Sequence, residues 1–334
     1  MSTLTLNGWM ERDGNRLSIP EIEKMLKDHP DELPLCGGEF FLSWDTCSAR
    51  DLYGIMEGTG PKGTILCNGK ATGRLAPVAP DLSLEEAIVT AVRLRGDEGI
   101  VALSGGVDSA LVAALAKREC VAVGLEGSHD LKQAKAAAES LGLTCTCVTI
   151  REEEIASALP VVVRTIPEKN PVNAGIALTL YFVARWAGEH GHRRIITGQG
   201  ADELFGGYSR YLTTETLEDD LARDFTGLEA QVRRDQSVAA LHGTYFSMPY
   251  MDFRVVRAAR AIPAAEKVQG GRRKIPLREV AGRHISPDLA GYEKKAMQYG
   301  SGVWDTLRKL ARKNGYKTSM QDYIDHISRV EHGH

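Results

Sequence analysis

The chain lacks several things that would have set its class at once. No uninterrupted apolar run is long enough to cross a bilayer, and the first nine residues lack the basic-then-apolar pattern of a secretory signal. There is no strong charge of either sign: 41 Lys and Arg stand against 44 Asp and Glu, a formal net charge of −3. A general polyanion-binding surface is therefore not expected, and neither is a nucleic-acid partner. No second Cys pair and no His partner stands at zinc-finger spacing from Cys145-x-Cys147. The six cysteines read as reduced, buried thiols of a cytoplasmic protein. There is no internal repeat, no low-complexity tract and no Gly-Lys-Ser/Thr phosphate loop.

What is present is an ordinary globular composition, with 43% hydrophobic and 25% charged residues over 334 positions. Within it one stretch organises the rest. The apolar run Ile100-Val101-Ala102-Leu103 meets Ser104-Gly105-Gly106-Val107-Asp108-Ser109, and a small-residue helical run follows at once. That pattern predicts a buried strand, a glycine turn and a helix whose N-terminus favours an anion. Glycines leave room for a large anion such as pyrophosphate. Asp108 would repel phosphate unless it holds a magnesium ion that bridges to it.

Residues 1–75 read as a small α+β piece with a helix over 19–27, capped by Ser18 and Glu21. Residues 72–80 read as a linker. Ser83-Leu84-Glu85-Glu86 opens a helix as a capping box. Strands at 120–126 and 144–150 alternate with a helix over 130–141, which implies βαβ units, a parallel sheet and helices on both faces. Residues 160–171 read as a loop, 172–190 as a long helix and Arg194-Ile195-Ile196 as a further strand. That strand runs into Thr197-Gly198-Gln199-Gly200-Ala201-Asp202-Glu203-Leu204-Phe205-Gly206-Gly207-Tyr208, a second glycine turn with two acids. After Tyr211 the chain reads as helical to its end. Two carboxylates with phosphate oxygens and water are a usual magnesium shell, so Asp108 and Asp202 are expected to share one ion.

These segments resemble the synthetase domain of the asparagine synthetase family, whose loop splits ATP into AMP and pyrophosphate. The resemblance continues in Val123-Gly124-Leu125-Glu126, in Pro249-Tyr250-Met251-Asp252, in Lys274-Ile275-Pro276-Leu277-Arg278 and in Lys294 ahead of Gly300, covering roughly residues 80–310. It implies an α/β ATP-pyrophosphatase fold with a helical C-terminal part, domains at 1–75 and 80–334, and the cofactors ATP and Mg2+. It implies that Leu103, Ser104, Gly105, Gly106, Asp108, Ser109, Val123, Thr197 and Gly198 bind nucleotide, with Asp108 and Asp202 as metal ligands. Lys294 would steady the charge that develops in amide formation, and Lys274 and Arg278 match a further basic segment. The reaction implied is adenylation of a carboxylate, aspartate or a similar acid, and its capture by ammonia or an amine.

Two positions depart from the pattern. Gln199 stands where the family has glutamate and the related β-lactam synthetases have tyrosine; glutamine positions by hydrogen bonds but is no base. Tyr245 replaces a second family glutamate. Segments Gly38-Glu39-Phe40-Phe41-Leu42-Ser43-Trp44-Asp45 and Ala49-Arg50-Asp51-Leu52-Tyr53-Gly54-Ile55 resemble the late part of a glutaminase domain, but Ser2 follows Met1 and no N-terminal cysteine nucleophile stands there. Residues 1–75 are therefore expected to be a shortened remnant that does not hydrolyse glutamine, with nitrogen from free ammonia, an ammonia-supplying protein or another amine. A homodimer is left open. So are three alternative readings: a β-lactam-synthetase-like acid–amine ligase, a tRNA-modifying adenylating enzyme, and a nucleotide-binding protein without turnover.

Overall fold

The computed structural model describes residues 4–293 and 297–329. The chain forms two compact units, each assembled from separated segments. One contains Met1–Asp97, Gly198–Val232 and Ser247–Leu277; the other contains Glu98–Thr197, Arg233–Phe246 and Arg278–His334.

The first unit is built on an antiparallel sheet of β1 (Thr5–Arg12), β2 (Asn15–Arg16), β3 (Gly37–Trp44), β4 (Cys47–Arg50), β5 (Thr64–Cys67) and β6 (Lys70–Arg74), in the order β2-β1-β3-β4-β5-β6. Period-two alternation gives its two faces different chemistry. Met10, Phe40 and Leu42 pack with Ile22, Met25 and Leu26 of helix α1 (Ile19–Asp28) in an apolar core. Trp9, Glu11 and Glu39, at the alternate positions, are also buried, but among charges. Helix α1 has the expected capping box from Ser18 and Glu21, and α2 (Leu84–Arg93) has its own from Ser83 and Glu86. Residues 72–74, read as linker, belong to strand β6. Asn68 and Gly69, with φ of 51° and 73°, make the two-residue turn that pairs β6 with β5.

The reading of six reduced cysteines is corrected. Cys47 and Cys67 are directly opposed on β4 and β5 and form a disulfide. Cys36 and Cys120 are buried thiols, Cys145 is half-buried and Cys147 is exposed. The pairing is long-range, between positions 20 apart, so it depends on a strand register that the thiols' own surroundings in sequence do not reveal.

The second unit holds a five-stranded sheet of β7 (Ile100–Ala102), β8 (Cys120–Leu125), β9 (Cys145–Ile150), β10 (Arg194–Ile196) and β11 (Tyr245–Ser247), ordered β11-β10-β7-β8-β9. The β10–β7, β7–β8 and β8–β9 pairings are parallel. Ile100, Val101, Val121, Ile195 and Ile196 have no exposed surface, which is why these strands read as continuous apolar runs. Helices α3 (Val107–Ala116), α4 (His129–Leu141) and α6 (Pro171–Glu189) flank the sheet, and α5 (Glu152–Thr165) packs on α6. Two expectations are corrected here. Residues 160–165 belong to α5, which carries Pro160 inside it. Residues 245–247 form an edge strand within a segment read as helical; Tyr245 N–H donates to Arg193 O at 2.8 Å. Among the described residues no helix is long and apolar enough to cross a membrane.

Candidate active site

Parallel strands β10, β7 and β8 end along one edge of their sheet. Ile196 pairs with Val101 and Ala102 with Val121, and Leu103 N–H donates to Val121 O at 2.9 Å. Thr197, Leu103 and Val123 therefore fall along that edge, with 3, 3 and 5% of their surface exposed. Ligands of open parallel sheets sit at such carboxyl edges.

The Ser104–Gly105–Gly106 turn leaves this edge and enters α3. Its glycine at 105 has two structural reasons: a φ of +76°, and the backbone of α4, since an added Cβ would lie 2.7 Å from the carbonyl carbon and the Cβ of Gln133. The sequence reading gave the space beside Gly105 to an anion; α4 occupies it. Ser109 ties the turn together. Its Oγ accepts from Ser104 N–H at 3.1 Å, lies 2.9 Å from Ser104 Oγ and donates to Gly106 O at 3.2 Å. Gly106 is the N-cap of α3, so the first N–H groups of the helix face the turn, and Asp108 sits in that first turn with 6% exposure.

The second glycine turn belongs to the first unit. Gly200 (φ +87°) enters the short helix Ala201–Phe205, and Gly206 (φ +75°) leaves it. Lys274 Nζ lies 2.5 Å from Asp202 Oδ1. A Cβ at Gly207 would stand 1.8 Å from that same oxygen and 2.2 Å from Lys274 Cε, so the residue opposite the ion pair has to be glycine. Arg273 Nη1 donates to Gly207 O at 2.8 Å. Lys274 itself has a φ of 56°, a strained conformation for a residue with a side chain.

Glu203, next to Asp202, is a residue to which the sequence assigned no role. It is buried, accepting from Tyr208 OH at 2.5 Å and Gln231 Nε2 at 3.0 Å. Burial, and then the charge of Asp202, hold its carboxyl above the ordinary range, and the bonds from Tyr208 and Gln231 pull the other way. A motif read along the chain shows Glu203 as one more acid; only the return of Gln231 from the helix Leu217–Ala240 shows that it is an internal anchor.

Of the remaining expected residues, Lys294 lies outside the described residues. Gly198 and Gln199 lie in the first unit with Asp202 and Lys274, whereas Leu103, Ser104, Gly105, Gly106, Asp108, Ser109, Val123 and Thr197 lie in the second. Arg278 Nη1 donates to Ala290 O at 2.6 Å, which closes the helix Pro287–Gly291. Tyr245 is a packed aromatic whose hydroxyl accepts from Arg194 Nε at 2.7 Å; Arg194 also pairs with Glu98 at 2.8 Å.

As donors for magnesium, the carboxylates of Asp108 and Asp202 have the hard oxygen chemistry required. Among the described residues no group of three or more His, Cys, Asp and Glu side chains stands ready to hold a metal by itself. A magnesium ion at either carboxylate would thus need further oxygens, which phosphate and water supply.

A parallel sheet with a glycine turn and helix N-terminus at its carboxyl edge defines the α/β class of nucleotide-binding folds. Within that class the chain belongs to the asparagine synthase family, whose model matches residues 83–231 and 221–326. It is 31% identical over 294 residues to a protein of Methanocaldococcus jannaschii named as a glutamine-hydrolysing asparagine synthetase, covering 75% of this chain and 54% of that protein. It is 29% identical over 245 residues to the carboxyethyl-arginine β-lactam synthase of Streptomyces clavuligerus, covering 72% of this chain and 47% of that one. Asparagine synthetase B of Escherichia coli is 26% identical over 238 residues, covering 63% and 43%. The chain thus spans about half the length of the curated relatives it matches.

Proposed function

We propose that the protein is an ATP-dependent carbon–nitrogen ligase. It activates a carboxylate as its adenylate, releases pyrophosphate, and passes the acyl group to ammonia or an amine. The observation that supports this most strongly is the 104–109 turn. It lies at the carboxyl edge of β7 between β10 and β8, inside a segment that matches the asparagine synthase model. In this reading the N–H groups at the start of α3 receive phosphate oxygens. Leu103, Val123 and Thr197 form the apolar and hydroxyl lining for the nucleoside. Magnesium would supply charge neutralisation on the phosphates, and Asp108 and Asp202 are each proposed as a magnesium ligand. Lys294 steadies the charge that develops as the amide forms.

Aspartate and ammonia are the first substrates to test, by analogy with the relatives named as asparagine synthetases. Gln199, a residue without a basic form, favours a second reading in which the acceptor is an amine on a larger substrate, as the likeness to the β-lactam synthase suggests. Residues 1–75 are assigned as glutaminase-like, and free ammonia is the first nitrogen donor to supply, with glutamine and other amines compared against it. The experiment is incubation with ATP, magnesium, ammonium and a panel of carboxylic acids, aspartate first. AMP and pyrophosphate in equal amounts, dependent on one acid, support the reading. No AMP with any acid or amine overturns it.

A further inference from the structure

We propose that Tyr292, His129 and Asp130 form a proton relay that takes the proton from the attacking ammonia or amine as the amide forms. This rests on the ligase reading and concerns the second half of that reaction. The nucleophile must lose a proton as it joins the acyl group. Gln199 has no basic form, and the Tyr245 hydroxyl already accepts from Arg194.

All three residues belong to the second unit. Strand β8 ends at Leu125 and α4 begins at His129, so the first turn of α4 stands at the carboxyl edge of the sheet. One helical turn further on, about 5.4 Å, Gln133 is the residue whose backbone packs against Gly105 of the Ser104–Gly105–Gly106 turn. Positions 129 and 133 share a face of the helix, so α4 carries the histidine beside the turn assigned to phosphate.

Tyr292 OH lies 3.0 Å from His129 Nε2, and His129 Nδ1 lies 3.6 Å from Asp130 Oδ1. These partners set the tautomer. A bare Nδ1 would turn its lone pair toward the Asp130 carboxylate, so Nδ1 carries the hydrogen and Nε2 accepts from Tyr292 OH. The 3.6 Å contact is longer than a hydrogen bond and tightens when the ring becomes positive. Asp130 is held in place for that. It has 6% of its surface exposed, and a Cβ at Gly300 would stand 1.9 Å from its Oδ1, so the short helix Met297–Gly300 lies directly on the carboxylate. Arg278 Nη1 donates to Ala290 O at 2.6 Å and to Tyr292 O at 3.3 Å, which fixes the backbone of the tyrosine.

Burial, and then the charge of Asp130, hold the Tyr292 hydroxyl above its ordinary range, so the resting phenol keeps its proton. No tyrosinate is required. The amine nitrogen bonds to the acyl carbon, its proton passes to the Tyr292 oxygen, and the phenolic proton moves to His129 Nε2. The bond from the acyl carbon to AMP breaks, with its electron pair leaving on the phosphate oxygen. The imidazolium, facing Asp130, then gives its proton to water.

The test separates the two halves of the reaction. Exchange of labelled pyrophosphate into ATP, with the acid and no amine, reads adenylation; amide formation with ammonium, or with the amine that the wild type uses, reads the second half. Tyr292→Phe and His129→Asn are expected to form amide about 100-fold or more slowly than wild type, with exchange within about twofold of it. Retained exchange shows that both variants are folded and bind nucleotide. Hydroxylamine, a weakly basic nucleophile whose nitrogen yields its proton readily to water, is expected to narrow the defect to about tenfold or less. Amide formation at the wild-type rate in both variants overturns the relay. So does a loss that exchange shares in equal measure, or one that hydroxylamine leaves in full. Absence of exchange in the wild type with every acid overturns the ligase reading itself, and the relay with it.

Discussion

Removing Arg95 is the sharpest perturbation of the first unit. Its guanidinium has 1% of its side chain exposed and bridges Glu39 Oε1 at 2.8 Å and Asp252 Oδ2 at 3.0 Å, carboxylates that are 0 and 2% exposed. The chain of charges continues through Arg254, 3.2 Å from Asp252 and 2.8 Å from Glu11. Glu39 also accepts from Trp9 Nε1, Ser247 Oγ and Met248 N–H. Burial alone would raise the Glu39 carboxyl; the charge of Arg95 and the bonds from Ser247 and Met248 outweigh it and hold it below the ordinary range. Arg95→Met keeps the volume, takes the cation from buried Glu39 and leaves Asp252 to Arg254. Breaking one buried pair costs about 3–5 kcal/mol, and here two carboxylates lose the same partner, so the upper end is expected. Urea unfolding at neutral pH measures it. The loss should shrink as pH falls. The lowered Glu39 carboxylate stabilises the wild type above its unfolded pKa and loses that stability in acid, whereas Glu39 without Arg95 titrates upward and is relieved by protonation. A loss below about 1 kcal/mol at neutral pH, the scale of an exposed pair, would show that Glu39 and Asp252 do not depend on Arg95.

Two further predictions follow from single sites. Gly105→Ala should cost about 1–3 kcal/mol for its positive φ, with more from the overlap with Gln133, and should lower the thermal midpoint with or without nucleotide; an unchanged midpoint would contradict the packing described for the turn. Burial pushes the Asp51 carboxyl up to about 6, against N–H bonds from Met56 and Ile55. Its folded form thus favours the proton. The stability it contributes is present below the unfolded value of 3.8 and is lost as pH rises through about 6. Relative to Asp51→Asn, the wild type should lose on the order of 2–3 kcal/mol between about pH 4 and pH 7 in urea titrations; parallel profiles would remove Asp51 as the cause.

The parallel half of the fold was legible because burial on both faces leaves apolar runs at 100–103, 120–125 and 195–196, and because glycine turns mark where the first and last of them stop. The capping boxes at Ser18 and Ser83 were legible because they are local. What escaped the sequence was long-range or hidden by a misleading local signal. The Cys47–Cys67 disulfide depends on strand register. Pro160 signals a break, yet the amphipathic packing of α5 continues past it, with Leu159, Val162 and Val163 buried. Tyr245-Phe246-Ser247 is too short a strand to announce itself. At the site, the acids and glycines could be picked out by type. That Gly207 serves the Asp202–Lys274 pair, and Gly105 the backbone of α4, is a matter of what stands opposite each.

A chain that forms an acyl-adenylate must run that step in reverse. The most direct measurement is exchange of labelled pyrophosphate into ATP, with magnesium and each candidate acid in turn and no amine present. Exchange should require one acid and be lost in Asp108→Asn, whose fold is checked by its unfolding midpoint. Absence of exchange with every acid, or exchange unaffected by Asp108→Asn, would contradict adenylate formation at this turn.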